Sequence, residues 1–261
     1  MSQPRQLARR LLPATVRRPL GSLAGWFHHH IIYWFLGLYF DLRGGKFRTD
    51  GCEFLIPTDI TSRSYRACFV NDSYEAEERE LIKKFLRPTD TVLELGACLG
   101  IVACVTNRLL VDKTKHVVVE GNPFCLPALH RNRDRNQCGF LVLNSAVSTQ
   151  PDATFYLHPV YVVGGTTQRQ SELPVRVPAR SLVELDAHHG PFTTLIMDIE
   201  GSELETFTAS PAPLACYRLV IVELHPWAIG EDGVARCREQ LTAAGLKFQA
   251  RAGITEAWQR D

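Results

Sequence analysis

Short apolar runs of strand length alternate with longer amphipathic stretches through most of the chain. Strands are predicted over 91–95, 116–120, 140–144, 193–199, 217–224, 246–250 and 254–258. Helices are predicted between them over 100–110, 123–136, 181–187 and 231–244. Strands that alternate with helices are typical of a parallel sheet. The pattern therefore predicts a Rossmann-like α/β fold with about seven mostly parallel strands, helices on both faces and an antiparallel final pair.

Two further regions flank or interrupt this alternation. A short strand is predicted within 51–57, and a helix rich in Glu and Lys is predicted over 74–86, ending before Pro88. Between Ala153 and Pro178 the pattern changes to short β-like runs around a glycine and threonine stretch. This insertion is expected either to border an acceptor pocket or to be a plain antiparallel hairpin with a flexible tip.

The beginning of the chain differs in composition from the rest. The first 40 residues contain five arginines and no acidic residue, and they are rich in aromatic residues from Leu20 onwards. The uncharged stretch 31–40 is shorter than the roughly 20 residues that a membrane-spanning helix needs. We therefore predict an N-terminal segment, 1–45, and a main domain, 46–261. The segment is interpreted as a packing helix or lid, or as a membrane-surface helix through residues 20–40, with a true span less favoured.

Composition limits the possible partners and compartment. With 261 residues, 45% hydrophobic composition and a formal net charge of +1, the chain can bury one full-sized core and has no global charge that calls for nucleic acid. Its eight cysteines are scattered and form no C-x-x-C pair. Reduced thiols are expected, which favours a cytoplasmic protein, peripheral on the inner face of a membrane if residues 20–40 bind one. Composition does not predict an oligomeric state.

A glycine turn follows the predicted strand 91–95. Glu94 is followed by Gly96 and Gly100, the second and sixth positions after it. Gly96 lets the backbone turn sharply beside a ligand, and Gly100 lets the next helix start tight against the strand. An acid and two glycines at this spacing suit the adenosyl and methionine parts of S-adenosylmethionine. Many α/β proteins have such a turn without a ligand, so the motif alone decides nothing.

The next predicted strand ends in a second acid. Glu120 lies 26 residues after Glu94, and an acid at this place in a Rossmann-like sheet accepts hydrogen bonds from two ribose hydroxyls. The chain has neither the G-x-G-x-x-G turn that holds a pyrophosphate nor a P-loop. The pattern therefore favours a sulfonium nucleoside over a dinucleotide or a nucleoside triphosphate.

A third acidic stretch follows the predicted strand 193–199. Asp198, Glu200, Gly201, Ser202 and Glu203 stand in the order of the signature of the FkbM family of S-adenosylmethionine-dependent methyltransferases, and the chain resembles that family over about residues 70–225. The resemblance also includes Ser73-Tyr74-Glu75, the glycine turn, Glu120, Asn144 to Ser148 and the strand that ends at His225. Glu94 replaces the usual Asp, Cys98 replaces the usual Asn, and the Pro after the second acid is displaced to Pro123.

The resemblance implies a class I methyltransferase fold with S-adenosylmethionine as cofactor. It implies cofactor contacts for Glu94, Gly96, Ala97, Gly100, Glu120, Asn144, Ala146 and Glu75. It also implies O-methylation of a hydroxyl on a small molecule, such as a sugar or secondary metabolite, or on a glycan- or lipid-linked acceptor. Because ligands of open α/β sheets bind beyond the carboxyl ends of the strands, Glu94, Glu120, Asp198 and His225 are expected at one rim.

Methyl transfer to an alcohol requires a base that takes the proton of the acceptor. Asp198, Glu200 and His225 are the candidate catalytic residues, and His225 has the ordinary pKa nearest neutrality. Asp198 can instead bind the cofactor, Glu200 can cap a helix, and His225 can be a buried hydrogen-bonding residue. The three could also hold a divalent cation, although nothing in their spacing requires one. A membrane-associated binding protein that has lost its chemistry is the alternative, and a nicotinamide-dependent oxidoreductase is disfavoured.

Overall fold

The computed structural model describes residues 31–157, 165–166 and 173–260. Most of the predicted N-terminal segment and the tip of the predicted insertion lie outside the described residues. Strands are β1 Lys46–Thr49, β2 Cys52–Leu55, β3 Val92–Leu95, β4 His116–Glu120, β5 Leu141–Asn144, β6 Ala146–Val147, β7 Asp152–Leu157, β8 Gly165–Thr166, β9 Pro174–Arg180, β10 Thr194–Met197, β11 Leu219–Glu223, β12 Lys247–Ala252 and β13 Thr255–Gln259. Helices are α1 over 31–42, α2 Ala76–Phe85, α3 Ile101–Leu109, α4 Leu126–Arg135, α5 Leu182–His189, α6 Glu203–Ala209, α7 Pro211–Leu214 and α8 Pro226–Ala243.

The central sheet has seven strands in the order β12-β13-β11-β10-β3-β4-β5. Strands β11, β10, β3, β4 and β5 are mutually parallel, and β13 runs antiparallel to both β11 and β12. The predicted Rossmann-like α/β fold is therefore confirmed, together with its antiparallel final pair. The sequence order reverses between β3 and β10, where open α/β sheets bind ligands.

Both faces of the sheet are covered because the parallel strands are apolar on both sides. On one face Leu93 packs with Leu185 of α5, Phe207 of α6 and Leu241 of α8. On the other face Val92 packs with Ile82 of α2, in a cluster that also includes Val102 of α3. Each such buried aliphatic side chain contributes about 1.5–3 kcal/mol. The core therefore fixes the strands from both sides and leaves only their ends for a site.

A second, four-stranded sheet interrupts the alternation between β5 and α5. Its order is β6-β9-β7-β8, and β7 pairs antiparallel with β9 from Asp152 opposite Pro178 to Tyr156 opposite Pro174. The predicted antiparallel insertion is confirmed over these residues. The ring of Phe155 comes so close to Gly121 that a Cβ at that glycine would lie 3.2 Å from it. The insertion thus packs against the end of β4.

The described part of the N-terminal segment packs on the main domain. Phe40 of α1 is buried with its ring centroid 5.6 Å from that of Phe69, and Asp41 forms an ion pair of 2.6 Å with Arg66. The other side of α1 exposes the apolar side chains of Ile31, Phe35, Tyr39 and Leu42, among others. No helix in the described ranges is long and apolar enough to cross a membrane. Contact with a membrane surface stays a prediction.

Some element boundaries differ from the predictions. Strand β1 was not expected, because Lys46-Phe47-Arg48-Thr49 carries only one large apolar residue; it forms through its hairpin with β2. Helix α8 begins at Pro226 rather than 231, with a non-helical kink at Gly230. Proline at the first helical position and glycine at the kink are both typical.

Candidate active site

A cleft of about 260 Å³ lies at the carboxyl ends of β3, β4 and β10. Its lining includes the predicted site residues Glu75, Gly96, Glu120, Ala146, Asp198 and Glu200. These residues come from segments far apart in sequence, and the parallel strands bring them together because their carboxyl ends share one rim. His225 lies directly behind this wall, with its Nε2 atom 3.6 Å from Oδ1 of Asp198.

Gly96 is required where the ends of β3 and β10 approach each other. The backbone N–H of Asp198 donates to the carbonyl of Leu95 at 2.9 Å. Gly96 has φ +90°, and a Cβ there would overlap the carbonyl oxygen of Asp198. Only glycine adopts this conformation cheaply and leaves room for the neighbouring backbone. Gly96 therefore lets the two strand ends approach each other while its backbone lines the cleft.

Glu120 is held by the backbone at the end of β4. Its Oε2 accepts a hydrogen bond from the N–H of Cys98, and its Oε1 accepts one from the N–H of Asn122, both at 2.6 Å. Burial raises the pKa of Glu120, and these two hydrogen bonds oppose that rise. Each carboxylate oxygen has a second lone pair. The side chain is thus fixed in place and can still accept hydrogen bonds from a ligand.

The structure does not place Glu94 on the cleft, contrary to the prediction of a direct cofactor contact. In the sheet register it lies between Val118 and Ile196, inside β3 rather than beyond its end. Its buried carboxylate is 3.2 Å from Nε2 of His116. Side chains inside a strand point to the faces of the sheet, so Glu94 projects into the layer covered by helices.

Three other predicted cofactor residues also lie outside the cleft lining. Ala97 is buried in the core beneath the turn. Gly100 adopts φ +78° directly before α3 and packs against Leu129. The side-chain amide of Asn144 donates to the carbonyl of Glu120 at 2.8 Å. These residues shape and brace the turn and strand ends rather than forming the cleft surface.

Four carboxylates surround His225 to form an acid–histidine cluster consisting of Asp198, Glu200, Glu203, Glu223 and His225. The Nδ1–H of His225 donates to Oε1 of Glu203 at 2.7 Å. On the other side of the ring, Nε2 lies 3.8 Å from Oε2 of Glu200 and 3.5 Å from Oε1 of Glu223. Strands β10 and β11 are adjacent, which is why their ends bring these groups together.

Burial and mutual repulsion shift the pKa values in this cluster. Burial alone lowers the pKa of His225, but the carboxylates of Glu203 and Glu223 and the charge of Asp198 raise it to about 11. Burial and then the charges of Glu223, Glu75 and Glu200 raise the pKa of Asp198 well above its usual range. A histidine with so high a pKa keeps its proton at neutral pH. These surroundings stabilise imidazolium rather than the neutral imidazole that a base needs, and the role of His225 as base stays a prediction.

Three residues of the cleft wall have left-handed backbone conformations although they are not glycines. They are Glu75 with φ 46°, Cys98 with φ 48° and Glu200 with φ 52°. Each such conformation costs about 1 kcal/mol or more and persists only where its surroundings enforce it. Cys98 occupies a position where Asn would adopt this conformation more readily. Strain of this kind is concentrated at ligand sites.

Several residues of the cleft wall were not predicted from the sequence. Tyr65 comes from a short 3-10 helix, Phe155 from the insertion, and Ser145 and Ser202 from strand and helix junctions. Tyr74 precedes Glu75 in the Ser73-Tyr74-Glu75 motif, which was a usable signal for it. Ser145 and Ser202 likewise stand in the Asn144 to Ser148 and Asp198 to Glu203 stretches of the family resemblance, whereas Tyr65 and Phe155 carry no sequence pattern that distinguishes them from ordinary loop or core residues.

No family model and no curated protein matches this chain. Among solved structures, precorrin-6y C5,15-methyltransferase from Geobacter metallireducens GS-15 is 9% identical, with 80% of this chain and 94% of that chain covered and a TM-score of 0.47. An O-methyltransferase from Bacillus cereus in complex with SAH is 14% identical, with 70% and 80% covered and a TM-score of 0.46. Ribosomal protein L11 methylase from Lactobacillus delbrueckii subsp. bulgaricus is 12% identical, with 70% and 77% covered and a TM-score of 0.44. Identities this low show no function for this chain.

Proposed function

We propose that this protein is a methyltransferase that uses S-adenosylmethionine and transfers the methyl group to a hydroxyl oxygen. The observation that carries the proposal is Glu120, a carboxylate held by two backbone N–H groups in the cleft wall. It stands at the end of the strand next to β3, beside the Gly96 turn. This is where a Rossmann-like site binds the two hydroxyls of a ribose.

The residues around Glu120 fit the rest of such a cofactor. Gly96 leaves its backbone open to a ligand, and Asp198 faces the same space from β10. The aromatic side chains of Tyr65 and Phe155 supply flat apolar surface within the cleft. S-adenosylmethionine supplies an electrophilic methyl group when bound, and the chain supplies alignment and a proton acceptor.

The acceptor side of the site is assigned to Asp198 and Glu200. Both carboxylates line the cleft, so an acceptor hydroxyl that points at either one can give up its proton there. The inserted sheet also contributes Val147 and Phe155 to the lining of this cleft. An acceptor hydroxyl on a sugar, glycolipid or secondary metabolite is supported by the resemblance of the Asp198 to Glu203 stretch to the FkbM signature. The alternative is a membrane-associated binding or scaffold protein on a methyltransferase fold that has lost its chemistry, and absence of S-adenosylmethionine binding would favour it over the enzyme.

Calorimetry with S-adenosylmethionine tests the proposal on the full-length chain. Wild-type protein is expected to bind one equivalent, and Glu120→Gln is expected to weaken binding at least about 10-fold, because one lost charge-assisted hydrogen bond is worth roughly 1.5–3 kcal/mol. The matched control is Glu80→Gln, the same change at an exposed position on α2. Absence of binding by the wild type, or equal affinity in both variants, would falsify the proposal. A parallel thermal-shift measurement with a nicotinamide dinucleotide is expected to show no stabilisation.

A further inference from the structure

Three carboxylate oxygens lie near Nε2 of His225, at distances longer than those of ordinary hydrogen bonds. Oxygens of Glu223, Asp198 and Glu200 lie 3.5, 3.6 and 3.8 Å away. Hydrogen bonds from nitrogen to oxygen span about 2.7–3.2 Å. Two ligands of one tetrahedral metal ion, each bonded at about 2.1 Å, are roughly 3.4 Å apart. The distances from Nε2 to these oxygens therefore fit ligand atoms of one metal ion better than atoms joined by a hydrogen bond.

The other side of the imidazole ring is held as in a metal ligand. Its Nδ1–H donates to Oε1 of Glu203, and the same carboxylate oxygen accepts the backbone N–H of Gly201 at 2.9 Å. Glu203 is completely buried. A carboxylate that accepts the Nδ1 proton holds the ring so that Nε2, once a metal ion displaces its proton, presents its lone pair to the ion, and metal-binding histidines are usually held in this way. Here Nε2 faces Asp198 and Glu200.

Part of this cluster lacks a cationic side chain from the rest of the described protein. In the described part of the chain, no Lys or Arg forms an ion pair with Asp198, Glu203 or Glu223. Oδ1 of Asp198 is buried and has no hydrogen-bond partner among the described residues. Buried carboxylates normally find a cation or a hydrogen-bond donor.

We propose that Asp198, Glu200 and His225 bind one divalent ion of the first transition row, such as Mn²⁺ or Zn²⁺, at the wall of the cleft. One donor atom from each residue lies within 4.8 Å of the others. An imidazole nitrogen beside two carboxylates suits these ions better than Mg²⁺ or Ca²⁺, which prefer oxygen ligands alone. Three protein ligands leave coordination positions for other molecules.

The position of the ion predicts the class of methyl acceptor. This prediction rests on the proposed function. Asp198 and Glu200 line the cleft, so the free coordination positions face it. An ion there binds two neighbouring oxygens of the acceptor, as in a vicinal diol or a hydroxy acid, and lowers the pKa of a bound hydroxyl, whose proton passes to the oxygen of Asp198 or Glu200 that does not bind the ion. An acceptor with paired oxygens is therefore expected to be methylated in preference to a simple alcohol.

Electron paramagnetic resonance of Mn²⁺ tests the site without any activity assay, because bound Mn²⁺ loses the sharp six-line signal of the free ion. Full-length protein freed of metal with a chelator is expected to bind one Mn²⁺ per chain, and Zn²⁺ is expected to displace it where equimolar Mg²⁺ does not. Asp198→Asn should weaken Mn²⁺ binding at least about 100-fold. Glu203→Gln removes the carboxylate that holds the His225 imidazole and should weaken Mn²⁺ binding about 10-fold. Glu205→Gln, an exposed acid on the same helix, should bind like the wild type.

Circular dichroism and thermal unfolding establish that each variant is folded. The metal site is overturned if the wild type leaves the Mn²⁺ signal unchanged, or if folded Asp198→Asn binds as tightly as the wild type. Calorimetry with S-adenosylmethionine in excess chelator separates the two proposals. If the protein binds S-adenosylmethionine but not Mn²⁺, the metal site is wrong and the proposed function stands. If it binds Mn²⁺ but not S-adenosylmethionine, the proposed function is wrong and the metal site stands.

Discussion

The amino ends and the carboxyl ends of the central strands form two edges of the sheet, and these edges differ in how their charged groups are paired. At the amino edge, Asp90, Thr193 and Arg218 lie within two residues of the starts of β3, β10 and β11. Asp90 accepts hydrogen bonds from the Arg87 backbone N–H at 2.8 Å, from Thr193 at 3.1 Å and from Arg218 at 2.5 Å. Burial alone raises the pKa of Asp90, but Arg218 and the other donors lower it below its usual value.

The carboxyl edges of the same strands hold the acid–histidine cluster. Here burial and neighbouring carboxylates raise the pKa of Asp198, and the backbone of Glu200 is in a left-handed conformation. A buried carboxylate with three donors stabilises the fold, whereas crowded carboxylates and strained backbone cost stability. The contrast indicates that the amino edge serves folding and the carboxyl edge serves binding, a division in which function is gained at some cost in stability.

The largest effect is expected for Gly96→Ala at the carboxyl edge. The new Cβ overlaps the Asp198 carbonyl and the backbone is held at φ +90°, so the free energy of unfolding should fall by on the order of 4 kcal/mol. Urea denaturation measures it. Gly44→Ala is the control, because Gly44 has φ +83° but nothing within 4 Å of its Cβ, and it should cost only about 1 kcal/mol. Equal losses would show that backbone conformation, rather than the close approach of the strands, makes Gly96 necessary.

Asp90→Asn at the amino edge should cost about 3 kcal/mol, because it leaves the Arg218 charge unpaired at a buried site. The folded variant should bind S-adenosylmethionine with wild-type affinity. Its pH dependence should also differ. The folded pKa of Asp90 is lowered from 3.8, so its stabilisation is present above that pH and is lost as pH falls through the folded pKa. The variant should therefore lose less stability in acid than the wild type. Weakened cofactor binding would contradict the division between edges.

The smallest effect is a gain in stability. Glu200→Gly removes a side chain from a left-handed position and should raise the free energy of unfolding by about 1 kcal/mol while weakening Mn²⁺ binding. The matched control is Gln137→Gly, since Gln137 has φ 53° at an exposed position outside the cleft lining. It should gain a similar amount without any change in ligand binding. A loss of stability in Glu200→Gly alone would mean that the carboxyl edge is not strained.

The sequence predicts the strands and the positions that follow them well. Gly96, Glu120 and Asp198 lie at or just after strand ends, so their meeting follows from the parallel sheet alone. Glu94 was assigned to the cleft because it belongs to the same motif, but it stands inside β3, where side-chain alternation directs it away. A shift of one residue along the strand decides whether a side chain lies in the cleft or under the helices. A sequence motif does not give that position.

The surroundings of His225 could not be predicted from spacing. Its partners Glu203 and Glu223 depend on where α6 begins and on how β10 and β11 are aligned, and the sequence leaves both uncertain by a residue or more. The prediction of a base used the ordinary pKa of histidine, whereas burial and the carboxylates of Glu203, Glu223 and Asp198 shift the pKa in the folded protein. Long-range charge of this kind appears only once the chain is folded.

A crystal structure of the full-length protein with S-adenosylhomocysteine tests most directly whether the carboxyl-edge cleft is the cofactor site. The ribose hydroxyls are expected within hydrogen-bonding distance of the Glu120 carboxylate, with the sulfur between the Gly96 turn and Asp198. A nucleoside bound elsewhere, or one seated in the cleft without contact to Glu120, would contradict the assignment.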